Sequence, residues 1–230
     1  MEAKSFFPVF QSVSRKLAVL ALVAFVTVPA GQVAAVENSV SRSWDFDVYL
    51  DDSMIGSHLF EVNDIGAGIS EVSSNANFDV KVLFVNVFRY RHETSEVWND
   101  GCLAEIASST KANGKDFAIK GKRTEQGFVL EDGETTQQLD GCVMTFAYWN
   151  PEFLQQQQLL DPQTGKYVDV DVEQLESAPI EVDGKTVDAN RFRVKANKIE
   201  VTVWYAPGSA EWLRLDSPAK GGRTLSYRLS

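Results

Sequence analysis

Two histidines are the residues of this sequence best suited to acid–base chemistry, because an imidazole titrates near neutral pH. His58 lies in "GSHLF" and His92 lies in "FRYRHETSEVW". Neither belongs to a catalytic motif, since the chain has no H-E-x-x-H, no G-x-S-x-G, no phosphate-binding glycine loop and no dinucleotide fingerprint. We interpret both histidines as hydrogen-bonded structural residues and predict no catalytic residue.

Carboxylates are the second class of candidates, because paired acids hydrolyse glycosides and clustered acids bind calcium. Acids are plentiful, but no spacing singles out a pair. The stretch "DVDVE" at 169–173 has the acid spacing of half a calcium loop, yet its alternation with valine favours a strand. Zinc sites need four ligands, and no such set is recognisable. We predict neither a metal nor a cofactor.

The segment "VLFVNVFRYRHETSEVW", Val82–Trp98, is the strongest candidate for ligand contacts. Its first residues are nearly all apolar on both alternation faces, which fits a strand buried on both sides or the wall of an apolar cavity. Aromatic and basic residues alternate after that run, and an arginine there is suited to an acidic head group. Core packing remains the alternative for this segment. The ligand-contact hypothesis names Phe84, Phe88, Tyr90, Arg89 and Arg91.

Period-two alternation predicts the elements that would position these residues. In "SWDFDVYL" the apolar residues Trp44, Phe46, Val48 and Leu50 fall on one face. Asx-Gly turns such as Asn113-Gly114 separate the alternating segments, as in β-hairpins. The sequence therefore predicts a mainly β, single-domain curved antiparallel sheet or open barrel of about ten strands.

One interior segment departs from this alternation. "DGCVMTFAYWNPEFL", Asp140–Leu154, combines a cysteine, closely spaced aromatics and an Asn-Pro step. Asn150 is suited to cap a helix and Pro151 to occupy its first position. We predict one short helix over Pro151–Leu160, and we interpret the aromatics as core residues of a chain segment that crosses the sheet. An active site is the alternative reading.

Cys102 and Cys142 each follow an Asp-Gly pair and are the two cysteines of the chain. An even cysteine count in an exported protein indicates a disulfide. A redox pair normally has C-x-x-C spacing, which these residues lack. We predict a structural Cys102–Cys142 bridge.

The amino terminus predicts export. Arg15 and Lys16 precede the apolar run "LAVLALVAFVTV", and small residues follow up to Ala35. This pattern is typical of a signal peptide over residues 1–35, which leaves a single β-rich domain over 36–230. The apolar run is short for a membrane span of about 20 residues. We expect a periplasmic or secreted protein that has no stable membrane span after cleavage.

The charge of the predicted domain argues against one class of partner. Without residues 1–35 the chain carries 19 basic and 31 acidic residues, a net charge of −12 with neutral histidines. Such a surface repels phosphate backbones, so we expect no nucleic-acid binding.

The order of several motifs resembles an uncharacterised family of exported proteobacterial proteins. These motifs include "WDFDVYLDDSMIGSH", "FDVKVLFVNVFRYRHE", "EVWNDGCL", "VWYA" and the terminal "YRL". The layout is also weakly similar to the curved half-barrels of periplasmic lipoprotein carriers. The resemblance implies an exported, β-rich single domain, and it assigns no catalytic residues.

Three functional hypotheses follow. The sequence favours a periplasmic binding or carrier module for an apolar or lipid-like ligand, because an export signal is combined with an apolar run and many aromatics. The first alternative is a periplasmic hydrolase with an unidentified site. The second is an envelope assembly factor that binds a protein partner along a sheet edge.

Overall fold

The computed structural model describes residues 40–82, 85–182 and 184–230, without the side chains of 82–86. Two sequence predictions lie outside these residues: the signal peptide at 1–35 and ligand contact by Phe84. The described residues from Val40 to Ser230 lie in one compact unit. No helix in this part of the chain is long and apolar enough to cross a membrane.

The described residues form 15 strands and one short 3-10 helix. Their bounds are β1 Val40–Leu50, β2 Ser53–Gly66, β3 Ile69–Val82, β4 Val85–Asn99, β5 Cys102–Ala112, β6 Lys115–Thr124, β7 Gly127–Glu131, β8 Thr136–Leu139, the 3-10 helix Pro151–Gln155, β9 Gln158–Leu160, β10 Tyr167–Asp169, β11 Asp171–Val182, β12 Lys185–Ala196, β13 Ile199–Tyr205, β14 Trp212–Ala219 and β15 Arg223–Leu229.

Thirteen strands form one antiparallel sheet in the order β11-β12-β13-β14-β15-β1-β2-β3-β4-β5-β6-β7-β8. Neighbours in the sheet are also neighbours along the chain, except that the last strand, β15, pairs with β1. The terminal strands β11 and β8 do not pair with each other, so the sheet is curved and open. This architecture confirms the predicted fold class.

Alternation places one set of side chains in the core, and we call that side of the sheet the inner face. Trp44, Phe46, Val48 and Leu50 are buried on β1, whereas the residues between them are exposed or half-buried. The predicted Asx-Gly turn at Asn113-Gly114 is confirmed, since Asn113 has a φ of 48° between β5 and β6. Local pattern and turn chemistry therefore specify the same hairpins.

Residues 140–166, which we call the crossover segment, pack against the inner face. The amide of Leu103 on β5 donates to the carbonyl of Val143 over 2.9 Å. Further along the segment, the Tyr205 hydroxyl of β13 donates to the carbonyl of Tyr148 over 2.7 Å. The segment therefore spans from one half of the sheet to the other, as its aromatic content predicted. Phe146, Ala147 and Trp149 are buried in the core.

The sulfur atoms of Cys102 and Cys142 lie 1.98 Å apart, so the predicted cysteine pair is within bonding distance. Cys102 begins β5 and Cys142 lies near the start of the crossover segment. The bridge therefore fixes that segment to the sheet.

The helix predicted over Pro151–Leu160 is wrong in its second half. Asn150 does cap a helix, because its Oδ1 accepts from the amide of Glu152 over 3.1 Å. The turn is 3-10 and ends at Gln155, and Gln156 has an extended backbone. Leu159 and Leu160 instead lie in β9, which pairs with β10. Tertiary pairing outweighs a helix that would be too short to be stable by itself.

The count of about ten strands was too low because several strands are short. Strands β7 to β10 span three to five residues each, which gives alternation little room to show. The stretch "YVDVDVE" also divides at Val170 between β10 of the small sheet and β11 of the large one. The amide of Val170 donates to the carbonyl of Gln157 over 2.9 Å, and Val168, Val170 and Val172 all pack against the core, so the alternation continues across two strands.

Candidate ligand-binding cavity

The crossover segment does not fill the space over the inner face, and a cavity of about 180 Å³ remains beneath it. The cavity is lined by strands from distant parts of the chain and by the crossover segment. Its lining residues are His58, Phe60, Val72, Ser74, Tyr90, His92, Thr94, Glu96, Thr145, Phe146, Ala147, Tyr148, Trp149, Asp161, Pro162, Gln163, Ile199 and Tyr227.

Strand β4 supplies a row of polar groups to this cavity. Tyr90, His92, Thr94 and Glu96 are two residues apart and therefore share the inner face. His92, Thr94 and Glu96 are buried. Ala76 of β3 lies opposite His92, so a small side chain faces the imidazole. The Tyr90 ring stacks on His92, with the ring centroids 6.1 Å apart.

His58 on β2 is held at both ring nitrogens. Its Nε2 lies 2.8 Å from the Ser74 hydroxyl and its Nδ1 lies 3.3 Å from the Tyr227 hydroxyl. The ring stacks on Phe60, with a centroid distance of 4.0 Å. Burial, with a smaller contribution from the nearby His92, lowers the pKa of His58 to about 3. The imidazole is therefore neutral at physiological pH.

His92 is also hydrogen-bonded at both ring nitrogens and buried. Its Nδ1 lies 2.7 Å from the Thr110 hydroxyl and its Nε2 lies 2.8 Å from the Thr94 hydroxyl. Burial lowers the pKa of His92 to about 4, against an opposing effect of the Asp161 carboxylate. Both histidines are buried and hydrogen-bonded, as we expected of structural residues, and both also line the cavity.

Glu96 is a buried acid at the wall of the cavity. Its Oε2 accepts a 2.8 Å hydrogen bond from the indole nitrogen of Trp98, and the Thr145 hydroxyl also donates to the carboxylate. Burial raises the pKa of Glu96 to about 7, although both hydrogen bonds act in the opposite direction. The side chain is therefore divided between its neutral and ionised forms near neutral pH.

Asp161 brings a second carboxylate to the cavity from the crossover segment. Its oxygens accept from the amide of Gln163 over 2.9 Å and from the hydroxyl of Thr164 over 2.5 Å. After burial, its charge is the second cause that raises the pKa values of Tyr90 and Tyr148. The Tyr90 hydroxyl stays protonated and donates to Oε1 of Gln163 over 3.1 Å.

The predicted ligand-contact residues separate into two groups. Tyr90 lines the cavity, and Phe88, which is 38% exposed, stacks beside it with a centroid distance of 6.5 Å. Arg89 and Arg91 instead bond to Asp79, over 3.1 Å and 2.7 Å. Alternation explains the division, because odd-numbered positions here face away from Tyr90. Ligand contact by Phe88 and the arginines stays a prediction.

The ligand-contact hypothesis did not include the other polar residues of the cavity. The available signal was in "FRYRHETSEVW", where His92, Thr94 and Glu96 occupy the face that alternation assigns to the core. Polar residues in buried positions are the informative departures from a hydrophobic pattern. Within the described part of the chain, no group of three or more His, Cys, Asp or Glu side chains is placed to hold a metal ion.

Comparison with known proteins agrees with this architecture. A crystal structure of a beta-barrel-like protein of the domain of unknown function DUF1849, from Brucella abortus, matches with a TM-score of 0.60 at 12% identity, covering 83% of this chain and 96% of that one. At this identity the likeness concerns the fold alone. No curated protein matches the chain. The model of the domain of unknown function DUF6134 matches residues 46–230, and the chain therefore belongs to the DUF6134 family.

Proposed function

We propose that this protein is an exported binding module whose cavity takes a compact ligand with an apolar body and a few hydrogen-bonding groups. One observation carries the proposal: polar side chains from β2, β3, β4, β15 and the crossover segment converge on one cavity that also has aromatic walls. Ligand sites typically combine a mostly apolar wall with a few placed polar groups.

The size of the cavity limits the ligand. Its volume of about 180 Å³ is below the range of about 300–1,000 Å³ that is typical of sites for drug-sized molecules. An engineered cavity of about 150 Å³ binds benzene, so a single ring or a branched group of similar size fits here. A lipid-like ligand would enter only with one end, and its remainder would extend past Tyr90 toward Phe88, which is partly exposed and stacks beside it.

Export is part of the same proposal. The predicted signal peptide at 1–35 supports it, and so does the bonding distance between Cys102 and Cys142. Disulfides persist mainly in oxidising compartments such as the bacterial periplasm.

Native mass spectrometry of protein purified from the envelope fraction tests the proposal. We expect a bound small molecule on the parent protein. Ala147→Leu should lose it, because Ala147 is buried and lines the cavity, so that a larger side chain occupies the ligand volume. Ala118→Leu makes the same change at an exposed position of β6 and should retain the molecule.

The proposal would be contradicted if all three proteins carried equal amounts of the bound small molecule, or if the parent protein carried none. Thermal unfolding of each variant without ligand tests whether Ala147→Leu is folded, and we expect a cooperative transition. A folded but empty variant then identifies the cavity as the site.

A hydrolase remains the second candidate, because the Ser74 hydroxyl lies 2.8 Å from Nε2 of His58. This is the separation of a nucleophile and its general base. The low pKa of His58 makes it a weak base, which favours the binding module. Hydrolysis of p-nitrophenyl acetate distinguishes the two. Activity that Ser74→Ala removes and that Ser73→Ala, at an exposed neighbour, retains would favour the hydrolase.

A further inference from the structure

We propose that the cavity selects a small organic cation, such as a methylated ammonium group, over neutral and anionic ligands of the same shape. This inference rests on the proposed function, because it names the chemical class of the ligand for the same cavity. Three features of the lining carry it: its ionisable groups, its aromatic rings and the free acceptor positions of its carboxylates.

The ionised side chains at the cavity wall are all acidic. Among the described residues that line it, Asp161 and Glu96 are the carboxylates, and there is no lysine or arginine. His58 and His92 are the remaining basic groups, and burial keeps both neutral. The local field therefore favours positive charge, and an anion would meet only like charge and neutral dipoles.

The field of Asp161 reaches the polar groups of the cavity. Its negative charge contributes to the raised pKa values of Tyr90 and Tyr148. At His92 the same charge acts against burial, which lowers the pKa of the imidazole. A raised pKa means that the nearby negative charge disfavours a phenolate and favours an imidazolium. Asp161 therefore stabilises positive charge in its surroundings. A ligand cation next to the same groups would gain from the same field.

Aromatic rings supply the second attraction. The cavity is lined by the rings of Phe60, Tyr90, Phe146, Tyr148, Trp149 and Tyr227. A cation within about 6 Å of a ring centroid is attracted by the ring quadrupole, and aromatic sites of this kind recognise quaternary ammonium groups. In a cavity of only about 180 Å³, every position available to a ligand is close to a wall.

Glu96 retains acceptor capacity for an N–H or O–H donor of the ligand, such as the hydroxyl of choline. A carboxylate has about four lone-pair sites, and Glu96 accepts from two protein donors, Trp98 and Thr145. These bonds fix the carboxylate beside the cavity before a ligand arrives. Preorganised groups of this kind lower the entropic cost of binding.

The arginines of β4 suggested a ligand with an acidic head group, whereas the lining of the cavity favours a ligand of the opposite charge. Arg89 and Arg91, which suggested an anion, both bond to Asp79 and are not among the cavity-lining residues. Side-chain alternation on β4 thus separates the basic residues from the cavity.

Cation binding should also be linked to the protonation of Glu96. Because the pKa of Glu96 is about 7, part of the free protein is neutral at this site at physiological pH. A cation favours the ionised form, so affinity should rise as pH increases through 7 and a proton should be released on binding. The other titratable groups that line the cavity are His58, Tyr90, His92, Tyr148, Asp161 and Tyr227. Burial keeps the histidines neutral and the phenols protonated over this range.

Isothermal titration calorimetry with three probes of one shape tests the inference. Choline carries a permanent positive charge, 3,3-dimethylbutan-1-ol is its neutral analogue, and 3,3-dimethylbutanoate is an anionic one. We expect choline to bind about ten-fold more tightly than the alcohol and the anion not to bind. The preference for choline should increase between pH 6 and pH 8, a range of about one unit on either side of the Glu96 midpoint.

Variants test which residues produce the preference for choline over the alcohol. Glu96→Gln keeps the size and an acceptor for Trp98, and it should remove most of the choline preference while the alcohol still binds. Glu93→Gln removes the same charge from the exposed face of β4 and should change nothing. Ala147→Leu should abolish binding of both probes.

Equal affinity for choline and the alcohol, or tighter binding of the anion, would overturn the cation inference and leave the binding module intact. Failure of all three probes also overturns it, and the native mass spectra of the parent protein and Ala147→Leu then decide the proposed function separately.

Discussion

The carboxylate of Glu96 accepts a 2.8 Å hydrogen bond from the indole of Trp98, two residues further along β4. This spacing places both side chains on the inner face, where Trp98 is packed into the core. An ionisable group is thereby held at the wall of an interior cavity. The consequence is a raised pKa, because the acid is removed from water and its hydrogen bonds compensate only in part.

Glu96 should make the stability of the protein depend on pH. Its pKa is raised from 4.5 to about 7, so the folded state binds more protons than the unfolded state between these values. Its contribution to stability is therefore lost as pH rises from about 4.5 to about 7. Relative to the parent, Glu96→Gln should gain at most about 3 kcal/mol over this interval.

Urea unfolding of the two proteins at a series of pH values measures that difference. The comparison cancels the effects of other groups, including both histidines. Glu93→Gln serves as the control on the exposed face of the same strand. Parallel pH profiles for the parent and Glu96→Gln would mean that the acid titrates normally.

His58 and His92 should remain neutral well below their ordinary pKa. Burial lowers their pKa values from 6.5 to about 3 and about 4. The unfolded state binds more protons below pH 6.5, so the stability that the two histidines contribute is lost as pH falls from 6.5 toward 4. Imidazole resonances followed by NMR should show both rings unprotonated at pH 5.5, and a midpoint near 6.5 for either ring would contradict this account.

Phe88 should contribute less to stability than a core phenylalanine. A core Phe→Ala change costs about 3–5 kcal/mol, and we expect that cost at Phe60, which is buried. Phe88 is 38% exposed, so Phe88→Ala should cost clearly less in chemical unfolding without ligand. Equal losses at the two positions would place Phe88 in the core and remove it from the ligand hypothesis.

The Cys102–Cys142 bridge should be formed and structural. Neither cysteine should react with an alkylating agent in folded protein without reductant. The bridge joins residues 40 positions apart, and replacing either cysteine with serine should lower stability by about 2–5 kcal/mol. Free labelling of both thiols in the folded protein would contradict the pairing.

The signal peptide remains a prediction about residues 1–35. Amino-terminal sequencing of the exported protein should begin at Val36 or within a few residues of it. A mature protein that retains Met1 would remove the argument for export.

The sequence predicted the sheet well and the cavity poorly, for one physical reason. Alternation in "SWDFDVYL" is a local property, so it identifies β1 and its buried face directly. The contact between His58 and Tyr227 joins residues 169 positions apart and depends on β15 pairing with β1. Such a long-range pairing leaves no periodic signal in either segment.

The crossover segment shows where local signals fail. Asn150 and Pro151 correctly predicted a helix start, because capping is local. The predicted end of that helix was wrong, because Leu159 and Leu160 pair with β10 and are buried in the core. The same packing leaves the cavity beneath the segment. Neither its volume nor its lining follows from the composition of "DGCVMTFAYWNPEFL" alone.

A crystal structure of the protein purified from the envelope fraction tests the central claim most directly. We expect electron density for a compact ligand in the cavity of about 180 Å³, in contact with Tyr90, Glu96 and Tyr227. A cavity occupied only by water molecules that hydrogen-bond to His58, His92 and Glu96, in protein that nevertheless carries a small molecule by native mass spectrometry, would contradict the assignment of this cavity as the binding site.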